Sequence, residues 1–373
     1  MRLEHFLVDG FRNYGRVELT FSPGLNLVWG ANAQGKSNLL EAVCYLGLAS
    51  SFRMAPDGEL INYAKTYFYL RGQIQRQEGP FVLEAAAGRG RRRKWKVDGQ
   101  PQQKLGEVVG LFHTVVFAPE DIWLVRSGPE QRRRYLNRLL AQTYRSYCRD
   151  QLQYAHILRQ RNACLKACRG DARLLDAEQL QLWDAQLAQT GARIAYCREQ
   201  AVSRLAPLAA TIQDQLSAGE ELTLVYANSA AGRSGARTVE EIQKHFLSEL
   251  ERLRPNEIVR GITLCGPHRD DLTIRLNQRF ARDFASQGQQ RTVALSLKLA
   301  ELELVRQIRG EYPVLLLDDV LSELDQSRAA QVLEFVSGKG QTFLSAVDSH
   351  LAAPVGKRFQ IQAGTVVKET PRG

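Results

Sequence analysis

Lys36 and Ser37 close the segment Gly30-Ala31-Asn32-Ala33-Gln34-Gly35-Lys36-Ser37, and Asp318 and Asp319 follow the apolar run Val314 to Leu317. The first set matches GxxxxGK[ST], in which backbone N–H groups cradle phosphates, the lysine reaches the β- and γ-phosphates and the hydroxyl ligates Mg²⁺. The second is a carboxylate pair delivered by a buried strand. Asp318 is the residue expected to hold the Mg²⁺ water shell, and Asp319 the one to orient or activate the attacking water. Together they describe an ATP or GTP site whose halves lie about 280 residues apart.

The flanking segments supply the elements such a site needs. Leu25, Leu27, Val28 and Trp29 form an apolar run ending at Gly30, and Asn38 to Leu48 has helical periodicity and strong helix formers. Strand, glycine loop and helix follow in the required order, so the helix N-terminus at Ser37 and Asn38 offers partial positive charge to phosphates. A further element is Ala285 to Arg291, ASQGQQR, which opens a long helical stretch reaching Arg309. Ser286 and Gln289 are spaced as a capping pair. A serine and a glycine before a helix also suit phosphate, and with one phosphate loop already present they suggest a composite site closed by another subunit.

Ser286-Gln287-Gly288-Gln289-Gln290 resembles, in variant form, the LSGGQ signature of ATP-binding-cassette ATPases. With FRNY at Phe11 to Tyr14, FAPED at Phe117 to Asp121, GPHRDD at Gly266 to Asp271 and LLLDDVLSELD at Leu315 to Asp325, the chain resembles the bacterial RecF family of recombination proteins over nearly its whole length. The resemblance implies an α/β fold, a P-loop ABC-type ATPase head with an inserted α-helical arm lobe. It implies ATP and Mg²⁺ as cofactors, bound between Lys36 and Ser37 of one subunit and Ser286, Gly288 and Gln289 of another, in an ATP-dependent homodimer. Asp325 matches the D-loop aspartate at the dimer seam. Arg12 matches a basic residue that related heads place near the phosphates; the residues alone leave it equally a surface arginine in a turn.

Three departures from the cassette pattern bear on mechanism. Asp319 replaces the usual glutamate and is one methylene shorter, so slow hydrolysis is expected. After Gln341 to Leu344 come Ser345, Ala346, Val347 and Asp348 where a switch histidine is customary, and His350 a few residues on is given no role. Glu120 and Asp121 stand where a Q-loop glutamine is expected.

Charge extends the reading to partners. The net charge is +10 and the basic residues are mostly arginine, which binds phosphate oxygens bidentately. One cluster, Arg91-Arg92-Arg93-Lys94-Trp95-Lys96, leads into an Asp98-Gly99 turn and reads as a hairpin. It is either an edge strand protected by charge or a DNA surface, and Trp95 among the cations favours DNA. Arg132, Arg133 and Arg134 form a second candidate DNA cluster. The family resemblance implies gapped, single-stranded and duplex DNA as ligands, with RecR and, through it, RecO as partners.

The remaining chain positions these groups. A helical pattern from Glu130 to about Ala167 breaks at Gly170-Asp171, and a second shows Trp183, Leu187, Thr190, Ile194, Cys197 and Ala201 at alternating spacings of four and three. That seam predicts an antiparallel helical hairpin. The expected organisation is an ATPase lobe over 1–127, a second lobe over 128–310 carrying the arm and the signature, and strands over 311–373 completing the first lobe's sheet. No secretory signal or membrane-length apolar run is evident, and the six cysteines make no disulfide or zinc pattern, so a cytoplasmic location is expected. His268 beside Arg269, Asp270 and Asp271 reads as a hydrogen-bonded structural corner rather than a metal site. Competing readings are the ATPase subunit of a transporter, disfavoured by the long insertion and basic charge, and an SMC-like tether, disfavoured by the short arm.

Overall fold

The computed structural model describes residues 1–168, 170–229, 238–349 and 355–371. Two compact units divide the chain, one formed by 1–122, 212–218 and 291–373, the other by 123–211 and 219–290. The expected lobe boundary at 310 therefore differs from the division at Gln290 and Arg291. The helix Gln287–Arg309 starts in the second unit, but from Arg291 on it belongs to the first, where Val293, Leu297 and Leu304 are fully buried.

The first unit contains two six-stranded sheets. One runs in the order Thr365–Pro371, Lys357–Gln362, Leu25–Trp29, Thr342–Ala346, Val314–Leu317 and Thr114–Phe117. All neighbours in it are parallel except the first pair. Register places Leu317 opposite both Phe117 and Leu344, and Ser345 opposite Val28, so four chain segments leave the sheet side by side at its C-terminal edge. Central strands such as VLLL are buried throughout, which is why they read as continuous apolar runs. The second sheet is antiparallel and includes Arg2–Asp9, Tyr67–Arg76, Gly79–Gly88 and Lys94–Val97.

Helix Lys36–Leu48 touches strands of both sheets and is buried on nearly every face, so its apolar residues do not form a single stripe. Close approach depends on a missing side chain: a Cβ at Gly72 of the antiparallel sheet would lie 2.5 Å from Leu46 Cδ2.

The second unit departs from the expected helix pair. The first predicted helix is two, Pro129–Thr143 and Arg145–Ala167, broken at the extended Tyr144. The predicted seam is present on Ala177–Leu216, but it is filled from two sides. Leu187, Ile194 and Ala201 pack with Tyr147, Tyr154 and Ile157 of Arg145–Ala167 and also with Phe246 and Leu250 of a third helix, Val239–Arg260. Gly191 makes room for this, since a Cβ there would lie 2.5 Å from Phe246 Cε1. A three-stranded antiparallel sheet of Leu222–Ala227, Asp271–Leu276 and Arg279–Phe280 completes the unit.

Much of the basic charge here is internal. Arg161, fully buried, donates to Asp184 at 2.6 Å, Glu257 at 2.7 Å and Thr263 at 2.8 Å. Arg198 donates to the Tyr147 hydroxyl at 2.9 Å, Asn137 Oδ1 at 2.8 Å and the Pro267 carbonyl at 2.7 Å. Buried ions of this kind persist because each guanidinium nitrogen has an acceptor. His268 joins the same core, with Nδ1 at 2.8 Å from the Tyr154 hydroxyl and Nε2 at 3.2 Å from the Thr263 carbonyl, and among the described residues no cluster is arranged to hold a metal. His350 lies outside the described residues.

Two stability predictions follow from this core. Arg161→Ala leaves the buried Glu257 without its cation and Asp184 with Arg254 alone, and should cost about 3–5 kcal/mol, read as a lower urea midpoint. The exposed Arg173→Ala serves as control and should leave the midpoint unchanged. Burial holds the His268 pKa at about 4, below its ordinary 6.5. The unfolded chain therefore takes up a proton that the native state refuses, and stability should fall as pH drops from about 6.5 towards 4. His268→Gln should flatten that part of the pH profile of the urea midpoint.

Candidate functional site

Beyond the strand Leu25–Trp29 the chain turns through positive φ at Gly30, Ala33 and Gly35 before Lys36–Leu48 begins. Backbone turned in this way gathers N–H groups into an anion-binding concavity. At Gly35 the φ of 116° favours glycine, and a Cβ would lie 2.6 Å from Asn13 Nδ2. Asn13 is there because it braces the loop: Nδ2 donates to the Gln34 carbonyl at 2.9 Å, and Oδ1 accepts from Asn38 Nδ2 at 2.9 Å. The Tyr14 hydroxyl donates to the Gly35 carbonyl at 3.0 Å. From the other side, Ala363 N donates to Gln34 Oε1 at 2.8 Å and Gly364 N to the Gln34 carbonyl at 2.9 Å. Lys36 is buried in the loop's curl, with Nζ donating to the carbonyls of Gly30 at 2.7 Å and Ala31 at 3.0 Å.

The acidic strand ends beside this loop. Asp318 is buried, with its amide donating to the Phe117 carbonyl at 2.8 Å. Its carboxylate accepts from Ser345 Oγ at 2.9 Å, with Arg53 Nη2 3.5 Å from Oδ2 and the Ser37 hydroxyl close enough to favour the ionised form. Burial raises its proton affinity; the two hydroxyls and the guanidinium oppose that rise. A cavity of about 290 Å³ is lined by Lys36, Ser37, Asn38, Arg53 and Asp319, among others. A hydroxyl bonded to a buried carboxylate is the hard oxygen set that suits Mg²⁺, and the adjoining concave amides and ammonium suit a polyphosphate.

Arg12 is placed differently from expectation. Its guanidinium forms a fork on the fully buried Glu41, at 2.8 and 2.9 Å, and donates to the Glu59 carbonyl at 3.1 Å, so its donors are committed away from the cavity. The arginine lining the cavity is Arg53. It was invisible in sequence because it lies in no motif. It is positioned by local bonds: its amide donates to Ser51 Oγ at 3.0 Å and its Nη1 to Asn38 Oδ1 at 3.3 Å. Ser51 in turn donates to Glu41 at 2.5 Å, so one buried glutamate organises both arginine segments.

The signature is a capping box and an open surface at once. Ser286 N donates to Gln289 Oε1 at 2.8 Å and Gln289 N to Ser286 Oγ at 3.2 Å. Gln289 also donates through Nε2 to Glu220 Oε1 at 2.8 Å, whereas Ser286, Gln287 and Gly288 are exposed. Asp325 caps Gln326–Val336 by accepting from Arg328 N at 2.9 Å and keeps its side chain largely exposed. Of the FAPED acids, Asp121 accepts from Ala118 N at 2.8 Å and approaches Lys298 Nζ at 3.6 Å.

The basic clusters divide in two. Trp95 is not a free stacking platform: it is buried and stacked on Tyr45 with centroids 5.9 Å apart. Strand alternation explains this, since Trp95 faces inward while Lys94 and Lys96 face out. Arg93 is likewise committed, donating to Asp57 at 2.5 Å and to the Ala49 carbonyl at 2.7 Å, whereas Arg91 and Arg92 are exposed. In the second cluster, Arg132 is buried and bidentate on Asp271 at 2.7 and 2.8 Å, Arg133 donates to the Asp270 carbonyl at 2.9 Å, and Arg134 pairs with Glu130. Arg132 thus serves the fold rather than a ligand. Trp95→Ala should accordingly cost about 3–5 kcal/mol of stability, measured by urea unfolding, while Lys96→Ala should leave stability within about 0.5 kcal/mol.

Comparison with known proteins agrees with this geometry. The family model described as RecF/RecN/SMC N terminal domain matches residues 2–365. The chain is 39% identical over 373 residues to the DNA replication and repair protein RecF of Bacillus subtilis, covering 99% of this chain and 100% of the relative. It is 40% identical over 372 residues to RecF of Listeria monocytogenes, covering 99% and 100% respectively. Among solved structures, a recombination mediator protein RecF bound to ATP superposes with a TM-score of 0.92 at 36% identity, covering 99% of this chain and 97% of that one. An SMC head at 13% identity and a TM-score of 0.58 shares the fold alone. A P-loop, a hydroxyl-bonded Asp318, a capped signature and these end-to-end similarities together make this chain a member of the RecF family of DNA replication and repair proteins.

Proposed function

We propose that this protein is an ATP-dependent DNA-binding switch: two copies close on ATP, the closed pair clamps DNA in recombinational gap repair and replication fork maintenance, and slow hydrolysis releases it. The observation that carries the reading is the meeting of Ser37 and Asp318 beneath the Lys36 loop, in a chain that superposes end to end on an ATP-bound RecF. Bound Mg²⁺ and ATP supply a triphosphate whose γ-phosphoryl is the group to be transferred to water. Loop amides and Lys36 would hold the phosphate charge, with Arg53 as a further cation, and Ser37 and Asp318 would hold the metal. Asp319 faces the cavity as the acceptor for the attacking water; its short side chain fits a slow reaction suited to timing.

Ser286, Gly288 and Gln289 serve a second copy's nucleotide in this reading, with Asp325 at the seam; the exposure of Ser286, Gly288 and Asp325 supports it. The exposed Arg91, Arg92, Lys94 and Lys96 are the candidate phosphate contacts for DNA. RecR and RecO are the partner proteins, a reading supported by similar structures described as RecF of the RecFOR pathway. The reading places the protein in the cytoplasm, and no described helix is long and apolar enough to cross a membrane.

Sedimentation with ATP and gapped duplex tests the switch. Wild type should sediment as a dimer, while Lys36→Ala and Ser286→Arg should remain monomeric. A wild type that stays monomeric, or a Ser286→Arg variant that dimerises normally, overturns the composite site. For the DNA surface, the double variant Lys94→Ala, Lys96→Ala should lower the slope of log affinity against log salt by about 1–2.

A further inference from the structure

The proposal here rests on the ATP and Mg²⁺ reading above. Thr342–Ala346 lies between the P-loop strand and the acidic strand and is apolar at Phe343 and Leu344, so Ser345 is a polar exception in it. Ser345 is buried at 1% exposure, one step beyond the Leu317–Leu344 pair and therefore level with the carboxylates. Its single hydroxyl makes two bonds of opposite sense. It donates to Asp318 Oδ1 at 2.9 Å and accepts from the Asp319 amide at 2.7 Å.

The two bonds do different things. The donated one turns the Asp318 carboxylate about its own axis and fixes which oxygen remains for other partners; Arg53 Nη2 lies nearest the second oxygen, Oδ2, at 3.5 Å. The accepted bond stabilises an unfavourable backbone. Asp319 has φ of 52°, a left-handed conformation that a non-glycine residue adopts at a cost, and Ser345 satisfies its amide in that geometry. Asp319 is turned into the cavity by that conformation, and Ser322 Oγ donates to its carbonyl at 2.8 Å. Its backbone therefore rests on the same hydroxyl that sets the aim of Asp318, with Ser322 Oγ a second tie 3.2 Å from its Oδ1.

We infer that Ser345 is a positioning residue that locks Asp318 and Asp319 as one unit, making metal-dependent nucleotide binding and the orientation of the water-facing carboxylate depend on one buried hydroxyl. It is not among the residues that line the cavity. No histidine follows it within the next four positions, so this hydroxyl supplies a fixed point at the sheet edge from the strand itself.

The test separates this role from a merely structural one. A fluorescent ATP analogue is titrated onto full-length wild type, Ser345→Ala and Ser345→Thr, once in EDTA and once across a Mg²⁺ series, with thermal unfolding of each apo protein alongside. Loss of one hydrogen bond to a charged group predicts about a tenfold higher Mg²⁺ requirement for Ser345→Ala, with EDTA affinity within about twofold of wild type. Ser345→Thr, which keeps the hydroxyl, should return the Mg²⁺ requirement to within about threefold. An unchanged Mg²⁺ requirement in Ser345→Ala overturns the proposal, as does an equal loss in EDTA and in Mg²⁺, which would mark a general structural role. A wild type that binds the analogue in neither condition overturns the ATP reading itself, a different outcome from either of these.

Discussion

A carboxylate buried at the end of a parallel strand must be paired, and in this molecule the pairing of Asp318 dictates its surroundings. An ionised oxygen at such depth costs several kcal/mol unless hydrogen bonds or cations compensate it. Compensation comes from three places in the sequence: Ser37 on the P-loop helix, Arg53 beyond that helix and Ser345 on the neighbouring strand. Each requires a different part of the fold to be in register. The order of strands in the parallel sheet, with Thr342–Ala346 between the loop strand and the acidic strand, is the arrangement that supplies them.

Around that centre, rigidity is supplied by buried polar groups as much as by apolar packing. Glu41 is enclosed completely yet binds both the Arg12 fork and Ser51, so the entry to the P-loop helix and the segment after it are held to one side chain. In the second unit, Arg161 and Arg198 do the same for the helices of the arm. Net positive charge is therefore a poor map of where polyanions bind. Arg132, Arg161 and Arg198 belong to the interior, whereas the hairpin strand presents Lys94 and Lys96 outward at alternate positions.

The parts legible in sequence were those with a strong local cause. The P-loop, its helix, the VLLL strand, the Asp98-Gly99 turn and the helix after Ser286 appear close to where their patterns put them, because each is set by local backbone preference or by continuous burial. Partners across long distances were not legible. Nothing in FRNY announces that Asn13 braces Gln34, or that Arg12 points to Glu41. Trp95 among cations suggested stacking on bases, but strand alternation turns it inward onto Tyr45. The seam of Ala177–Leu216 was readable as a stripe, while its second partner, Val239–Arg260, was not, since a stripe does not state how many helices fill it.

The strand Leu25–Trp29 has as neighbours Thr342–Ala346 and Lys357–Gln362, both encoded more than 300 residues later. During synthesis from the N-terminus, that apolar strand emerges long before either edge can be paired, and the loop after it lacks the braces from Ala363 and Gly364. A sheet closed so late has high contact order, so folding is slow and an unpaired strand is exposed to other chains. The nascent chain therefore carries a recognisable phosphate-loop sequence without a finished loop until the segment that holds Ala363 and Gly364 has been made.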